Sequence, residues 1–267
     1  MESNMKPSLT VIKVGGAVVE DEAQLTQLLH DFTAIQGPKI LVHGGGRRAT
    51  KIAERLGIET KMVDGRRITD AEMLEVVTMV YGGLVNKNVV ARLQALGCDA
   101  IGLTGADANI LLSQKRPVKM VNGVPVDYGY VGDVKQASGA KLSHFIDAGL
   151  IPVVAPLTHD GQGHMLNTNA DTMASETAKA MAVAGYDVTL IYAFEKPGVL
   201  RNADDDSSVI ATINHADFET YKADGTISGG MLPKIENALA AIDAGVQRVI
   251  ITKATAIDGQ HGTVITE

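Results

Sequence analysis

A single cysteine, Cys98, stands among the 267 residues, so no intrachain disulfide framework is possible and the chain fits a reducing compartment. Long apolar runs are missing too. No stretch approaches the roughly 18 consecutive apolar residues of a membrane-spanning helix, and the first apolar run, Leu9 to Val14, is too short for a secretion signal. Positive charge is scarce: 24 lysines and arginines face 31 acidic residues, a net charge of −7, so the surface as a whole repels nucleic acid and anionic membrane. Any basic site must be local. These absences predict a soluble, cytoplasmic protein with small-molecule partners and neither nucleic acid nor membrane among them.

Several motifs are absent as well. The Walker pattern Gly-x4-Gly-Lys-Ser/Thr does not occur, which argues against a P-loop nucleotidase. His43-Gly44-Gly45-Gly46 resembles a lipase oxyanion loop, but no Gly-x-Ser-x-Gly elbow accompanies it, which excludes that hydrolase class. The histidines show no paired ligand spacing, so no protein-held metal is predicted. Asp204-Asp205-Asp206 lies in a Ser/Asn/Asp turn and reads as a solvated loop. No Pro/Ser-rich linker divides the chain, so two lobes sharing one sheet are expected rather than two separate domains.

One phrase is present repeatedly: a helical stretch, a glycine, then a run rich in Val and Ile. Gly97, Gly149, Gly185 and Gly245 precede Asp99–Leu103, Ile151–Val154, Val188–Tyr192 and Arg248–Thr252. Glycine just past a helix end supplies the positive φ of the C′ cap, and apolar runs without alternation suit strands buried on both faces. The pattern predicts a doubly wound α/β fold, a mainly parallel central sheet in a three-layer α/β/α sandwich. Asn122-Gly123, between two short β-prone runs, predicts an inserted type I′ hairpin, and a second hairpin is expected around His159–His164.

Three glycine turns carry basic residues: Lys13-Val14-Gly15-Gly16, His43-Gly44-Gly45-Gly46-Arg47-Arg48 and Ser228-Gly229-Gly230-Met231-Leu232-Pro233-Lys234. Glycine turns that feed helices expose backbone N–H groups to an anion, and lysine adds a point charge. A lysine ending an apolar strand is costly to bury unless an anion meets it; the alternative is that Lys13 snorkels from an edge strand. Pro233 suits position N1 of a helix with apolar face Ile235, Leu239 and Ile242, which places Lys234 in the first turn, disfavoured unless a phosphate binds there. Asn167, Asn169 and Asp171 alternate at the start of another helix and suggest a polar site at a strand–helix junction. Gly44-x-Gly46-x-x-Ala49, with Asp64 about twenty residues on, also matches a dinucleotide fingerprint, so an NAD(P)-dependent oxidoreductase remains an alternative at this point.

Taken together, in order, the motifs resemble the amino acid kinase family. They are Ile12–Gly16, Val42–Gly46, Asp64–Thr69, Gly132–Val134, Ile151–Val154, Asn167–Asp171, Pro197–Leu200 and Gly229–Lys234. The resemblance implies ATP-dependent phosphorylation of the γ-carboxylate of an N-acylglutamate, acetyl or succinyl, in arginine biosynthesis. It implies that Lys13 and Lys234 stabilise the transferring phosphoryl group and that Asp171 orients them. It further implies that Gly45 and Gly46 approach substrate through backbone N–H groups, with Gly16 at the phosphate, Arg67 clamping a substrate carboxylate and Asn167 holding the N-acyl amino acid. Glu195, Lys196, Pro197, Gly198, Val199 and Leu200, with Thr226, Ile227 and Ser228, fall where the family contacts ATP. Where the family usually has Thr/Ser-Asp-Val, this chain has Phe194-Glu195-Lys196.

The same resemblance implies an N-terminal lobe, 1–171, for the N-acyl amino acid and dimerisation, and a C-terminal lobe, 172–267, for ATP with Mg²⁺ held mainly by the nucleotide. Only eight residues precede the first strand, from which a homodimer insensitive to arginine is expected. The chemistry agrees with the residues: a carboxylate nucleophile with a pKa near 4.3 is already ionised at neutral pH, so lysines and N–H donors suffice and no general base is needed. A non-catalytic nucleotide or amino acid sensor on the same fold is a further alternative.

Overall fold

In the computed structural model, which describes residues 6–63 and 65–267, the first strand, Ser8–Val14, is flanked by Lys39–His43 on one side and Asp187–Phe194 on the other. Among the described residues the central sheet has eight strands. Their order is Thr212–Ile213, Thr263–Ile265, Arg248–Lys253, Asp187–Phe194, Ser8–Val14, Lys39–His43, Ile151–Val154 and Ala100–Leu103. Pairing is parallel except between Arg248–Lys253 and Thr263–Ile265. The strand order reverses at Ser8–Val14, so the carboxyl ends of the central strands form the crevice where open α/β sheets bind ligands.

Side-chain alternation divides the core between the two faces of this sheet. Leu9 and Val11 join Ile40, Val42, Leu190 and Tyr192 on the face covered by the helices Ala170–Val183 and Met231–Asp243. Ile12 and Val14 join Leu41 and Ile191 on the opposite face, under Leu25, Leu28 and Phe32 of the helix Glu22–Ala34 and Val89 and Leu93 of the helix Asn86–Ala95. Burying such a side chain contributes about 1.5–3 kcal/mol, which fixes the register of the strand. Lys13 continues the Leu9–Val11 row, toward the helix Ala170–Val183.

The recurring glycines have the conformation their positions require: φ is 79° at Gly97, 81° at Gly149, 98° at Gly185 and 90° at Gly245. Both expected hairpins form. Lys119–Val121 pairs with Val124–Val126 around Asn122 and Gly123, at φ 50° and 80°, the signs a type I′ turn needs. Leu157–His159 pairs with Met165–Asn167, within a four-stranded sheet that also holds Leu111–Lys115 and Gly132–Ala137.

Pro233 does not sit at N1. The helix begins two residues earlier, at Met231 with Gly230 as N-cap, so Pro233 is at N3. Its missing N–H is harmless there, because a first-turn N–H has no intrahelical acceptor. The expected apolar face holds, with Ile235, Leu239 and Ile242 buried.

Candidate active site

One strand end and two helix starts meet at one carboxylate. Lys13 projects from the end of the central strand, Asp171 from the first turn of Ala170–Val183, and Lys234 from the start of Met231–Asp243. Lys13 Nζ lies 2.8 Å from Asp171 Oδ1, a close ion pair outside the angles of a directed hydrogen bond. Lys234 Nζ donates to Asp171 Oδ2 at 3.2 Å. Asn169 is the N-cap, its side chain accepting from the N–H groups of Asp171 and Thr172, which fixes the turn that aims Asp171. Lys13 belongs to a central strand, so the edge-strand alternative is excluded.

Burial pushes the Asp171 carboxyl up, but the charges of Lys13 and Lys234 together outweigh it and hold the pKa at about 2. Burial lowers Lys234; Asp171 opposes that shift and the Lys13 charge adds to it. Tyr192, paired in register with Lys13, donates its hydroxyl to the Asp171 carbonyl at 3.3 Å. Burial and the Asp171 charge raise the Tyr192 phenol, so it remains a neutral wall. The result is one anion holding two ammonium groups together at the mouth of the crevice.

The first two glycine turns are in contact. A Cβ on Gly44 would lie 2.9 Å from the Gly16 nitrogen, so this close backbone approach requires glycine. The helices Gly16–Glu20 and Gly46–Arg55 both start here. Among the described residues the N–H groups of Gly16, Gly45 and Gly46 have no backbone or side-chain acceptor, as expected at helix starts. The ring of Tyr81 closes the other side: a Cβ on Gly45 would meet its Cδ1 at 2.8 Å.

Next to these turns opens a cleft lined by Gly16, Gly44, Gly45, Gly46, Arg66, Arg67, Tyr81 and Asn167. Arg67 is buried; its Nη2 donates to the Gly46 carbonyl at 2.8 Å and Thr50 Oγ1 at 3.0 Å, and Nη1 to Thr60 Oγ1 at 3.2 Å. Asn167 donates from Nδ2 to the buried Thr69 hydroxyl at 2.9 Å, leaving Oδ1 without a protein partner among the described residues. Asp64 of the Asp64–Thr69 motif lies outside the described residues.

Across the crevice, the turn Glu195–Gly198 follows the strand Asp187–Phe194. Glu195 Oε1 meets Arg47 Nη2 at 3.2 Å and Lys196 Nζ meets Asp206 at 3.0 Å, both exposed pairs. Gly198 packs against Val209 and Thr263, and the Val199 N–H donates to Thr263 Oγ1 at 2.8 Å. Val199 and Ile227 have buried side chains; Glu195, Ser228 and the adjoining backbone form the exposed rim.

Comparison with known proteins gives this arrangement its relatives. Residues 8–253 match the Amino acid kinase family. The chain belongs to the amino acid kinase family. It is 64% identical over 265 residues to the acetylglutamate kinase of Bacteroides fragilis, covering 99% of each chain. It is 64% identical over 261 residues to the acetylglutamate kinase of Bacteroides thetaiotaomicron, covering 98% of this chain and 99% of that one. Among solved structures it resembles an N-acetylglutamate synthase from Neisseria gonorrhoeae, with a TM-score of 0.80 at 22% identity, covering 98% of this chain and 60% of that one. At that identity the likeness is one of fold.

Membership of the amino acid kinase family removes the dinucleotide alternative, and the structure gives the reason. The helix Gly46–Arg55 after Gly44 leads into an antiparallel ribbon, Met62–Val63 with Arg66–Arg67, rather than a parallel neighbour in the sheet. The fingerprint needs a βαβ unit, and this turn is not in one. Among the cleft residues of this amino acid kinase to which sequence reasoning gave no role are Tyr81 and Arg66. Tyr81 lies in a π-helical segment, Thr78–Val85, whose period no local motif announces. Arg66 was legible as a neighbour of Arg67 but had no distinguishing signal.

Proposed function

We propose that the chain transfers the γ-phosphoryl group of MgATP to the γ-carboxylate of N-acetyl-L-glutamate, forming N-acetyl-L-glutamyl 5-phosphate in arginine biosynthesis. The observation that carries this is the Lys13–Asp171–Lys234 cluster together with the N–H groups of Gly16, Gly45 and Gly46, which have no acceptor among the described residues. A carboxylate oxygen attacks the γ-phosphorus, the bond to the bridging oxygen breaks, and ADP leaves with that electron pair. Charge spreads over the equatorial oxygens of the transferring group, and oriented N–H donors and ammonium groups stabilise it there. Asp171 accepts no proton in this scheme; with its pKa at about 2 it stays anionic and sets the spacing of the two lysines.

Arg67 clamps the α-carboxylate by exchanging neutral acceptors for a charged one, since charge-assisted hydrogen bonds are the stronger. Asn167 Oδ1 receives the acylamide N–H. Residues 1–171 bind the N-acyl amino acid and form a homodimer contact, and residues 172–267 bind ATP through the Glu195–Leu200 turn and Thr226–Ser228. Magnesium enters with the nucleotide: Asp171 is taken up by two lysines, and among the described residues no three His, Cys, Asp or Glu side chains are grouped for a metal. Bound in this way, the ion would supply charge neutralisation for the phosphates, leaving Lys13 and Lys234 to face the transferring group.

N-succinyl-L-glutamate is the alternative acyl substrate to test beside N-acetyl-L-glutamate. Arg66 lines the cleft beside Arg67, half-buried, with no hydrogen bond or ion pair among the described residues. A guanidinium so placed suits a third carboxylate, as in N-succinyl-L-glutamate. Hydroxamate trapping of the acyl phosphate, run with ATP, Mg²⁺ and each substrate in parallel, decides both points. No product with either sinks the kinase assignment; preference for the acetyl substrate, unchanged in Arg66→Ala, sinks the succinyl alternative. Light scattering of a monomer would reject the dimer.

A further inference from the structure

The side chain of His43 is fully buried beneath the second glycine turn, and nothing in the phosphoryl transfer described above uses it. Its Nδ1 lies 2.8 Å from the carbonyl oxygen of Gly44, and its Nε2 lies 3.1 Å from Nδ2 of Asn86. The same Nδ2 donates to the Val153 carbonyl at 2.9 Å, and Asn86 Oδ1 accepts from Lys87 Nζ at 3.1 Å. Lys87 Nζ donates in addition to the Gly102 carbonyl at 3.0 Å.

These partners fix every polarity in the chain of contacts. Carbonyl oxygens only accept and an ammonium only donates. Asn86 Nδ2 is therefore the amide nitrogen, His43 Nε2 is the acceptor, and Nδ1 carries the proton. A second proton on the ring would set Nε2–H against the Asn86 N–H₂. Burial, opposed by the Gly44 carbonyl and reinforced by the Lys87 charge, pulls the imidazole pKa down to about 4, so the ring is neutral at working pH. The strand opposite makes room for this relay: a Cβ on Gly102 would collide with Asn86 Oδ1.

The Gly44 carbonyl shares a planar trans peptide with the N–H of Gly45, and the two bonds point in opposite directions. Whatever grips the carbonyl aims the N–H. We propose that His43, held by Asn86, is a positioning residue that locks the Gly44–Gly45 peptide plane and so aims the Gly45 N–H at the transferring phosphoryl group. Tyr81 restrains the same residue from its other side, with its ring 2.8 Å from where a Gly45 Cβ would lie. Both Tyr81 and Asn86 belong to one stretch of chain, the π-helical segment Thr78–Val85 and the first residue after it. Such π segments recur at functional sites. The inference rests on the kinase assignment for its consequence, and on the hydrogen-bond polarities alone for its geometry.

Two measurements test it. Nitrogen NMR of the unmodified protein reads the His43 tautomer without any reaction; protonated Nδ1 is expected, and an Nε2–H tautomer or a charged ring at neutral pH overturns the proposal. Steady-state kinetics then compare His43→Leu, which lacks the donor, with His43→Asn, whose amide nitrogen can occupy the Nδ1 position. His43→Leu is expected to lower kcat by at least roughly ten-fold, the scale of a misaimed oxyanion donor, with KM for both substrates changed less than about three-fold. His43→Asn is expected to recover most of that loss. Unchanged kcat in His43→Leu, or no recovery in a folded His43→Asn, overturns it. If the unmodified protein forms no acyl phosphate, the kinase assignment fails separately, and the tautomer still decides the geometry.

Discussion

Lys13 and Lys234 arrive from opposite ends of the chain at opposite oxygens of the Asp171 carboxylate, 2.8 and 3.2 Å away. Two ammonium groups would repel each other in a partly buried crevice; the shared anion offsets that repulsion and holds both beside it. When ATP binds, its γ-phosphoryl group adds negative charge to a site already preorganised to receive it.

Replacing either lysine with alanine removes half of that field. Lys13→Ala and Lys234→Ala are each expected to lower kcat by about 10²–10³-fold, in line with loss of one preorganised donor. Isothermal titration should show the N-acyl substrate still bound, which separates lost chemistry from lost folding. Turnover equal to that of the unmodified enzyme would remove these lysines from the mechanism.

Asp171 links the same cluster to acid stability. Its folded pKa of about 2 lies below the ordinary aspartate value of 3.8. A depressed pKa contributes stability above the unfolded value, and that stability is lost as pH falls through the folded value. The contribution, on the order of 2 kcal/mol, should therefore disappear between about pH 4 and pH 2. Urea unfolding at stepped pH is expected to show this component in the unmodified protein and not in Asp171→Asn.

Arg67→Ala should weaken the N-acyl substrate and leave the nucleotide alone. A charge-assisted hydrogen-bonded pair contributes about 1.5–3 kcal/mol, so KM for the amino acid should rise about 10- to 100-fold. A comparable rise in KM for ATP would place Arg67 on the nucleotide instead.

Gly44→Ala tests the contact between the turns. Its Cβ would meet the Gly16 nitrogen at 2.9 Å, with backbone on both sides and no flexible side chain to yield. Overpacking of this kind costs about 1–3 kcal/mol, and the displaced N–H groups should lower kcat as well. Calorimetry with kinetics on the same preparation checks both, and an unaltered melting temperature would mean the turns separate easily.

Much of this was legible locally. Gly97, Gly149, Gly185 and Gly245 mark helix ends because positive φ is a property of the single residue there. Asn122-Gly123 specified its hairpin for the same reason. The candidate site residues were legible as types at turns: lysines beside glycines, and alternating polar residues before a helix.

Their relationships were not. That Lys13 faces Asp171 follows from strand alternation only once the helix Ala170–Val183 is known to cover that face. Pro233 was misplaced by two residues because a proline is tolerated anywhere in the first helical turn. Tyr81 meets Gly45 and His43 meets Asn86, each pair far apart in sequence.

The sequence alone therefore determined the parallel α/β architecture and the chemical types present, because both follow from short-range backbone preference and hydrophobic pattern. The tertiary structure decided which charges share one carboxylate, which glycine turns touch and which side chains line the cleft. Those depend on distances between segments remote in the chain, which only packing of the complete sheet establishes.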